Sequence, residues 1–342
     1  MKAITITSEG TPVASNIQVV EDWQDPTPSK YDVVVKTEAS ALNHLDLWVG
    51  VGMPGLGLEY PRISGSDGCG IVSAVGSEVD ESWLGKRVLL NAAVGQKEPT
   101  LPETVPTPED IRMIGEHDHG TNAEYFSAPV HNVLEVGDVD PVEAAAFGLA
   151  HLTAWRMLVT RAKLQAGQTV LITGIGGGAA LAAFNICTHF GCKTIVTSRH
   201  KWKLEKAAAL GANEVVLDTG EDWSREVRRL TRKRGVDICV DSVGGPLHVP
   251  SIKSLARGGT LVTCGCTAGA TPTTDLARIF WNQLNVVGST MGDMNEFRSV
   301  VSLFHTGMKP VIDSVHDVQD AQSAFARLES GEQFGKVVLR WQ

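Results

Sequence analysis

The stretch Val170–Phe184, "VLITGIGGGAALAAF", decides the fold. An apolar run reads as a strand, Gly174, Gly176, Gly177 and Gly178 as a tight turn, and the alanine-rich segment from Ala179 as a helix. Glycines at such a turn let the backbone come close to a pyrophosphate. The helix N-terminus then meets the anion with unpaired N–H groups and the positive end of its dipole. Ala180 supplies the small side chain that close helix–strand packing needs.

On the C-terminal side the alternation continues. "KTIVTS", "NEVVLD", "VDICVDSV" and "GTLVTCG" read as strands, separated by the helical "KWKLEKAAAL" and "SREVRRLTRK". Apolar strands spaced by helices predict a parallel sheet covered on both faces. On the N-terminal side, Asp140-Pro141 predicts a helix start with Asp140 as cap and Pro141 as first helical residue. Before it, "DVVVKTEASAL", "GIVSAVGSEV" and "KRVLLNAAV" are strand-like runs broken by glycine and proline. "GQKEPTLPETVPTPEDIRMIGEHDHG" has four prolines and little apolar periodicity, and is expected to be an exposed excursion. The chain closes on a helical "DAQSAFARLES" and a strand, "KVVLRW".

A length of 342 residues suits two domains, and 43% hydrophobic with 20% charged residues is a globular balance. The net charge of −9 argues against nucleic acid and anionic membrane as partners. "MKAITITSEG" lacks the apolar run of a signal peptide, and no stretch is long and apolar enough to span a bilayer. None of the six cysteines forms a C-x-x-C pair; reduced thiols and a cytoplasmic location are expected.

The end of the second strand of the alternating series selects the nucleotide. An acidic side chain there would bind the ribose hydroxyls of NAD, whereas "VTSRHKWK" offers Ser198, Arg199 and Lys203 and no carboxylate before Glu205. Basic and hydroxyl groups suit the 2′-phosphate of NADP(H), the cofactor expected here.

"GSDGCGIVSAVGSEV" (65–79) carries Gly65, Asp67, Gly70, Val72, Val75 and Gly76 at the spacing G-x-D/E-x-x-G-x-V-x-x-V-G. With "ALNHLDLWVG", "AAAFGLAHLTAWRML", "DSVGG", "LVTCG", "VVGSTMG" and "FGKVVL", it makes nearly the whole chain resemble the medium-chain dehydrogenase/reductase superfamily. The likeness is to quinone oxidoreductase-like and zinc-type alcohol dehydrogenase-like members. It implies a GroES-like β-rich catalytic domain over residues 1–129, completed by 295–342, and a Rossmann NADP-binding domain with a doubly wound parallel sheet over 130–294.

The resemblance also bears on zinc. Family members that hold a catalytic zinc use an early cysteine, a histidine in G-H-E and a third thiolate or carboxylate. Here those positions match Asn43, Ser66 and the neighbourhood of Ala150 and His151. Amide and hydroxyl oxygens are poor substitutes, and the lobe that would hold a structural zinc has no cysteine, so no metal is expected. A rival set, His44, Asp67, His117 and His119, could hold a metal only if the fold assembled it.

Without a Lewis acid, hydride transfer to a quinone or an α,β-unsaturated carbonyl is the easier chemistry, because conjugation spreads the developing charge. Oxidation of alcohols, or NADP binding without catalysis, are the alternatives. The resemblance implies catalytic roles for Asn43 and His44, with Asp46 beside them. It implies cofactor contacts from Thr153, Ser242, Val243, Gly244, Cys264, Gly265, Ser289, Thr290 and Lys336. The loop "WVGVGMPGLGLEYP" offers Trp48, Met53, Leu56, Leu58 and Tyr60 as walls for a small hydrophobic carbonyl or quinone substrate. Association as a homodimer or homotetramer through the strand in "LNVVGSTMG" would fit the family.

Overall fold

The computed structural model describes residues 1–53, 55–95 and 111–341. Most of the Pro/Glu excursion expected from the sequence lies outside them. The backbone divides into two compact units, Met1–Leu149 with Gly292–Gln342, and Ala150–Met291.

The first unit opens with β1 (Ala3–Ile6), β2 (Ile17–Val20), β3 (Asp32–Ala41), α1 (His44–Val51), β4 (Arg62–Ile63) and β5 (Gly68–Val75). It continues through β6 (Arg87–Leu90), β7 (Ala93–Gly95), β8 (Ile111–Met113), β9 (Tyr125–Pro129) and β10 (Val133–Glu135) into α2 (Pro141–Trp155). The second unit follows as β11 (Thr169–Ile172), α3 (Gly178–His189), β12 (Lys193–Ser198), α4 (Lys201–Ala209), β13 (Glu214–Leu217) and α5 (Ser224–Leu230). Then come β14 (Val236–Asp241), α6 (His248–Ser254), β15 (Leu255–Thr263), α7 (Leu276–Asn282) and β16 (Asn285–Gly288). The chain returns to the first unit with α8 (Met294–His305), β17 (Ile312–Asp317), α9 (Ala321–Glu329) and β18 (Lys336–Arg340).

β3 organises the first unit. Its long apolar run pairs antiparallel with β5 along one edge, and with β9 and then β18 along the other. The sheet runs β10-β6-β5-β3-β18-β17, with β9 also on β3. Under it Ile4, Ile6, Leu42, Leu47, Phe325, Val337, Leu339 and Trp341 form a continuous core. α2 begins as the sequence predicts: Pro141 is its first residue, and the Asp140 carboxylate accepts from Val142 N at 2.8 Å. The division between units falls inside α2, later than the boundary expected at 129/130. The reason is that the first half of α2 packs with the first unit: the Phe147 ring lies 4.9 Å from that of Phe304, Lys309 pairs with Glu143, and Leu149 N donates to Asp67.

In the second unit the six strands are all parallel, in the order β13-β12-β11-β14-β15-β16. The order reverses between β11 and β14, which opens the crevice where such sheets receive ligands. No helix among the described residues is long and apolar enough to cross a membrane.

Candidate functional site

In the second unit the glycine turn closes the carboxyl end of β11. Gly174 (φ +63°) and Gly176 (φ +117°) occupy left-handed backbone that a side chain would strain. Thr173 Oγ1 donates to Asp241 Oδ1 at 2.7 Å, and the same carboxylate accepts from Val243 N (2.9 Å) and Gly244 N (3.2 Å). Asp241, which sequence reasoning passed over, therefore fixes the "DSVGG" turn beside the glycine loop. α3 starts at Gly178 behind Gly177, which has no side chain to cap the first amides. Those amides are available to an anion.

Beside this loop lies Lys203, one of two buried lysines among the described residues (6% exposed). A Cβ on Gly176 would sit 2.8 Å from Lys203 Cδ, so the lysine stem crosses directly over the turn. Its ammonium is 5.3 Å from the Trp202 ring, and Lys206 lies 5.2 Å from the same ring. Arg199 is exposed at the end of β12, and Ser198 is buried with its hydroxyl accepting from His200 N at 3.1 Å. Cys264 and Gly265 stand at the carboxyl end of β15, where Cys264 N donates to Asp241 O. Ser289 N donates to Thr263 O just past β16, and Thr290 is exposed. Thr153 and His151 are buried on α2, where His151 shares a 3.3 Å contact with Asn185 of α3.

The first unit holds a different kind of site. Asn43 caps α1, and its backbone N–H donates to Asp46 Oδ2 at 2.7 Å in a reciprocal capping box. Its side chain is spent inside the protein. Nδ2 donates to Asp67 Oδ2 (2.9 Å) and reaches Ser66 Oγ at 3.4 Å, and Oδ1 accepts from Lys336 Nζ at 2.6 Å. Lys336 Nζ also pairs with Asp67 Oδ2 at 2.9 Å, with the two side chains 4% and 0% exposed. Asp67 Oδ1 accepts from Leu149 N at 2.7 Å, and Gly148 makes room, since a Cβ there would lie 2.8 Å from that oxygen. Asp67 thus ties β5, α1, α2 and β18 together.

Several expectations change here. Asn43 has its donors turned toward Asp67, Ser66 and Ala41 O rather than held ready for a substrate. Asp46 is buried and spends its oxygens on Asn43 N and, at 3.4 Å, Asn122, so it caps a helix rather than handling substrate. Burial pushes its pKa up to about 6. Lys336, expected as a cofactor contact, is committed to Asp67 and Asn43. Met53, Leu58 and Tyr60 pack against the core of the first unit, and Tyr60 Oη donates to Val49 O at 2.5 Å. Trp48 is half-buried and Leu56 exposed. The His44 side chain lies edge-on to Trp48 at 5.4 Å, and partial desolvation of its ring lowers its pKa.

The rival metal set does not assemble. His117 Nδ1 accepts from Met113 N and His119 Nδ1 from Ile63 N, both at 3.2 Å, and His119 packs edge-on against Trp23. Among the described residues no three of His, Cys, Asp or Glu are grouped to hold a metal. The family's zinc does not fit the donors around Asn43 either: an amide, a hydroxyl and one carboxylate, with an ammonium already among them.

Comparison with known proteins agrees with this architecture. Residues 29–138 match the alcohol dehydrogenase GroES-like domain, and residues 178–306 match the zinc-binding dehydrogenase family. The zinc-type alcohol dehydrogenase-like protein YogA of Leptosphaeria maculans is 32% identical, over 92% of each chain. The quinone oxidoreductase of Homo sapiens is 24% identical over 99% of this chain and 97% of its own. The crystal structure of an NAD-dependent alcohol dehydrogenase superposes with a TM-score of 0.92 at 35% identity, over the full length of both chains.

Proposed function

The chain belongs to the medium-chain dehydrogenase/reductase superfamily of oxidoreductases, and within it we propose an NADPH-dependent, zinc-independent reductase of quinones or α,β-unsaturated carbonyls. The observation that carries this reading is Lys203: a buried lysine whose stem lies over Gly176, beside uncapped helix amides, with Arg199 just past the end of β12. Ser198, Arg199 and Lys203, at the end of β12 and in the first turn of α4, favour the extra phosphate of NADPH over the ribose hydroxyls of NAD.

NADPH, when bound, supplies the hydride. The chain's own contribution is to hold the pyrophosphate on the α3 amides, to fix the turn after β14 through Asp241, and to offer Trp48 and Leu56 as apolar surface. His44 offers a ring N–H to a carbonyl oxygen, and water completes the addition with a proton. An acceptor whose conjugation spreads charge needs no stronger electrophile. The partner is a small hydrophobic carbonyl compound or quinone.

The protein acts as a homodimer in this reading. β16 is an edge strand of its sheet, and Leu276, Phe280 and Trp281 beside it on α7 are 72%, 70% and 69% exposed, a patch that a second copy would cover. One specific finding favours a second reading, an NAD-dependent alcohol dehydrogenase: the likeness, at 35% identity, to a crystal structure of such an enzyme. Steady-state rates with NADPH and NADH across quinones, enones and alcohols separate the two. A higher kcat/KM with NADPH and a quinone or enone supports the first, and alcohol oxidation with NAD supports the second.

A further inference from the structure

The first unit buries a lysine between Asp67 and Asn43. Lys336 Nζ lies 2.6 Å from Asn43 Oδ1 and 2.9 Å from Asp67 Oδ2, and Ser66 Oγ is 3.4 Å from Asn43 Nδ2. Both members of the ion pair are essentially inaccessible to water. A divalent ion bound to Asp67 Oδ2 would sit about 2 Å from that oxygen. The ammonium already approaches the same oxygen, so the two cations would share one small volume at low dielectric.

We infer that the Lys336 ammonium, locked between Asp67 Oδ2 and Asn43 Oδ1, is a built-in cation that takes both the charge and the space of a metal ion and makes this site refuse one. The absence of thiolate and imidazole ligands is then only half of the reason. Asp67 keeps the carboxylate a metal would use, and its charge is neutralised from within. Its other oxygen accepts from Leu149 N, so the pair also cross-links the elements that a metal would otherwise hold together. This extends the zinc-independent part of the proposed function, and its test reads metal binding alone, without cofactor, substrate or turnover. Failure of the NADPH reading leaves it standing, and its own failure leaves the NADPH reading standing.

The experiment supplies the missing donors with and without the lysine. Asn43→Cys/Ser66→His places a thiolate and an imidazole beside Asp67, and the triple variant adds Lys336→Met. Each purified protein is titrated with cobalt(II), read by thiolate-to-metal absorption, and with zinc in competition with a chromophoric chelator. The expected result is stoichiometric metal in the triple variant, at least ~100-fold tighter than in the double variant, as removal of a unit charge a few ångströms away requires. Equal affinity in the two folded variants contradicts the inference, and so does a folded triple variant that binds no metal. If these grafted variants do not fold, the milder pair Asn43→Cys and Asn43→Cys/Lys336→Met carries the same comparison by cobalt(II) absorption: tighter metal in the lysine-free protein is expected, and equal affinity in the two overturns the inference.

Discussion

Two lysines are buried among the described residues, one in each unit, and their surroundings differ. Lys336 is 4% exposed and its charge is answered by an internal carboxylate at 2.9 Å. Lys203 is 6% exposed and lies along a glycine turn, against Trp202 and beside backbone N–H groups that also attract anions. Lys336 is spent on a carboxylate within its own unit, whereas Lys203 stands at the turn that the proposed function assigns to the nucleotide phosphates. Burial alone distinguishes neither; the neighbours decide.

The sharpest way to break the comparison is Lys336→Met. It leaves Asp67 charged, buried and unpaired, which should cost about 3–5 kcal/mol, read from urea denaturation. Lys336→Met/Asp67→Asn should recover a large part of that loss. Simple addition of the two single effects would show that the pair is not coupled.

Asp46 sharpens the same region through pH. Its folded pKa is pushed up to about 6, above the ordinary carboxylate value, so the folded state holds its proton more tightly than the unfolded chain. The stability this gives is fully present at pH below about 4 and is lost as pH rises through 6. Asp46→Asn keeps an oxygen for Asn43 N without the titration. Its stability relative to the parent should therefore rise between pH 4 and pH 7 by at most about 3 kcal/mol. A difference that stays flat across that window contradicts the assignment.

On the other side of the comparison, Lys203→Met should weaken NADPH binding by about 10- to 100-fold, the worth of a hydrogen bond to a charged group, and leave NADH less affected. Fluorescence titration with both nucleotides measures it; equal losses would place the lysine on the shared pyrophosphate instead. The smallest effect on stability is expected from Trp281→Glu, on an exposed helix face. Light scattering should show it shifting the protein from dimer to monomer, and a mass identical to that of the parent would remove α7 from the interface.

The second unit was legible because its information is local. Strand, glycine turn and helix follow one another within fifteen residues, and alternation of apolar runs sufficed to predict a parallel sheet. The first unit's site was only partly legible because its contacts are remote. Asn43, Asp67, Gly148, Leu149 and Lys336 meet through four different elements, and no spacing in the sequence announces that. Asn43, Ser66 and Asp67 drew attention individually, but the amide was expected to face a substrate, and Lys336 was expected at the cofactor. The apolar loop after α1 is a further instance. Trp48, Met53, Leu56 and Tyr60 look alike as pocket walls, and only packing separates Met53 and Tyr60, which serve the core, from Trp48 and Leu56.

The most direct test of the account is the rate of NADPH oxidation with a quinone and with an enone, measured before and after exhaustive chelation and after adding back one equivalent of zinc. Unchanged turnover throughout is the predicted result. Loss of activity on chelation, restored by stoichiometric zinc, would contradict it.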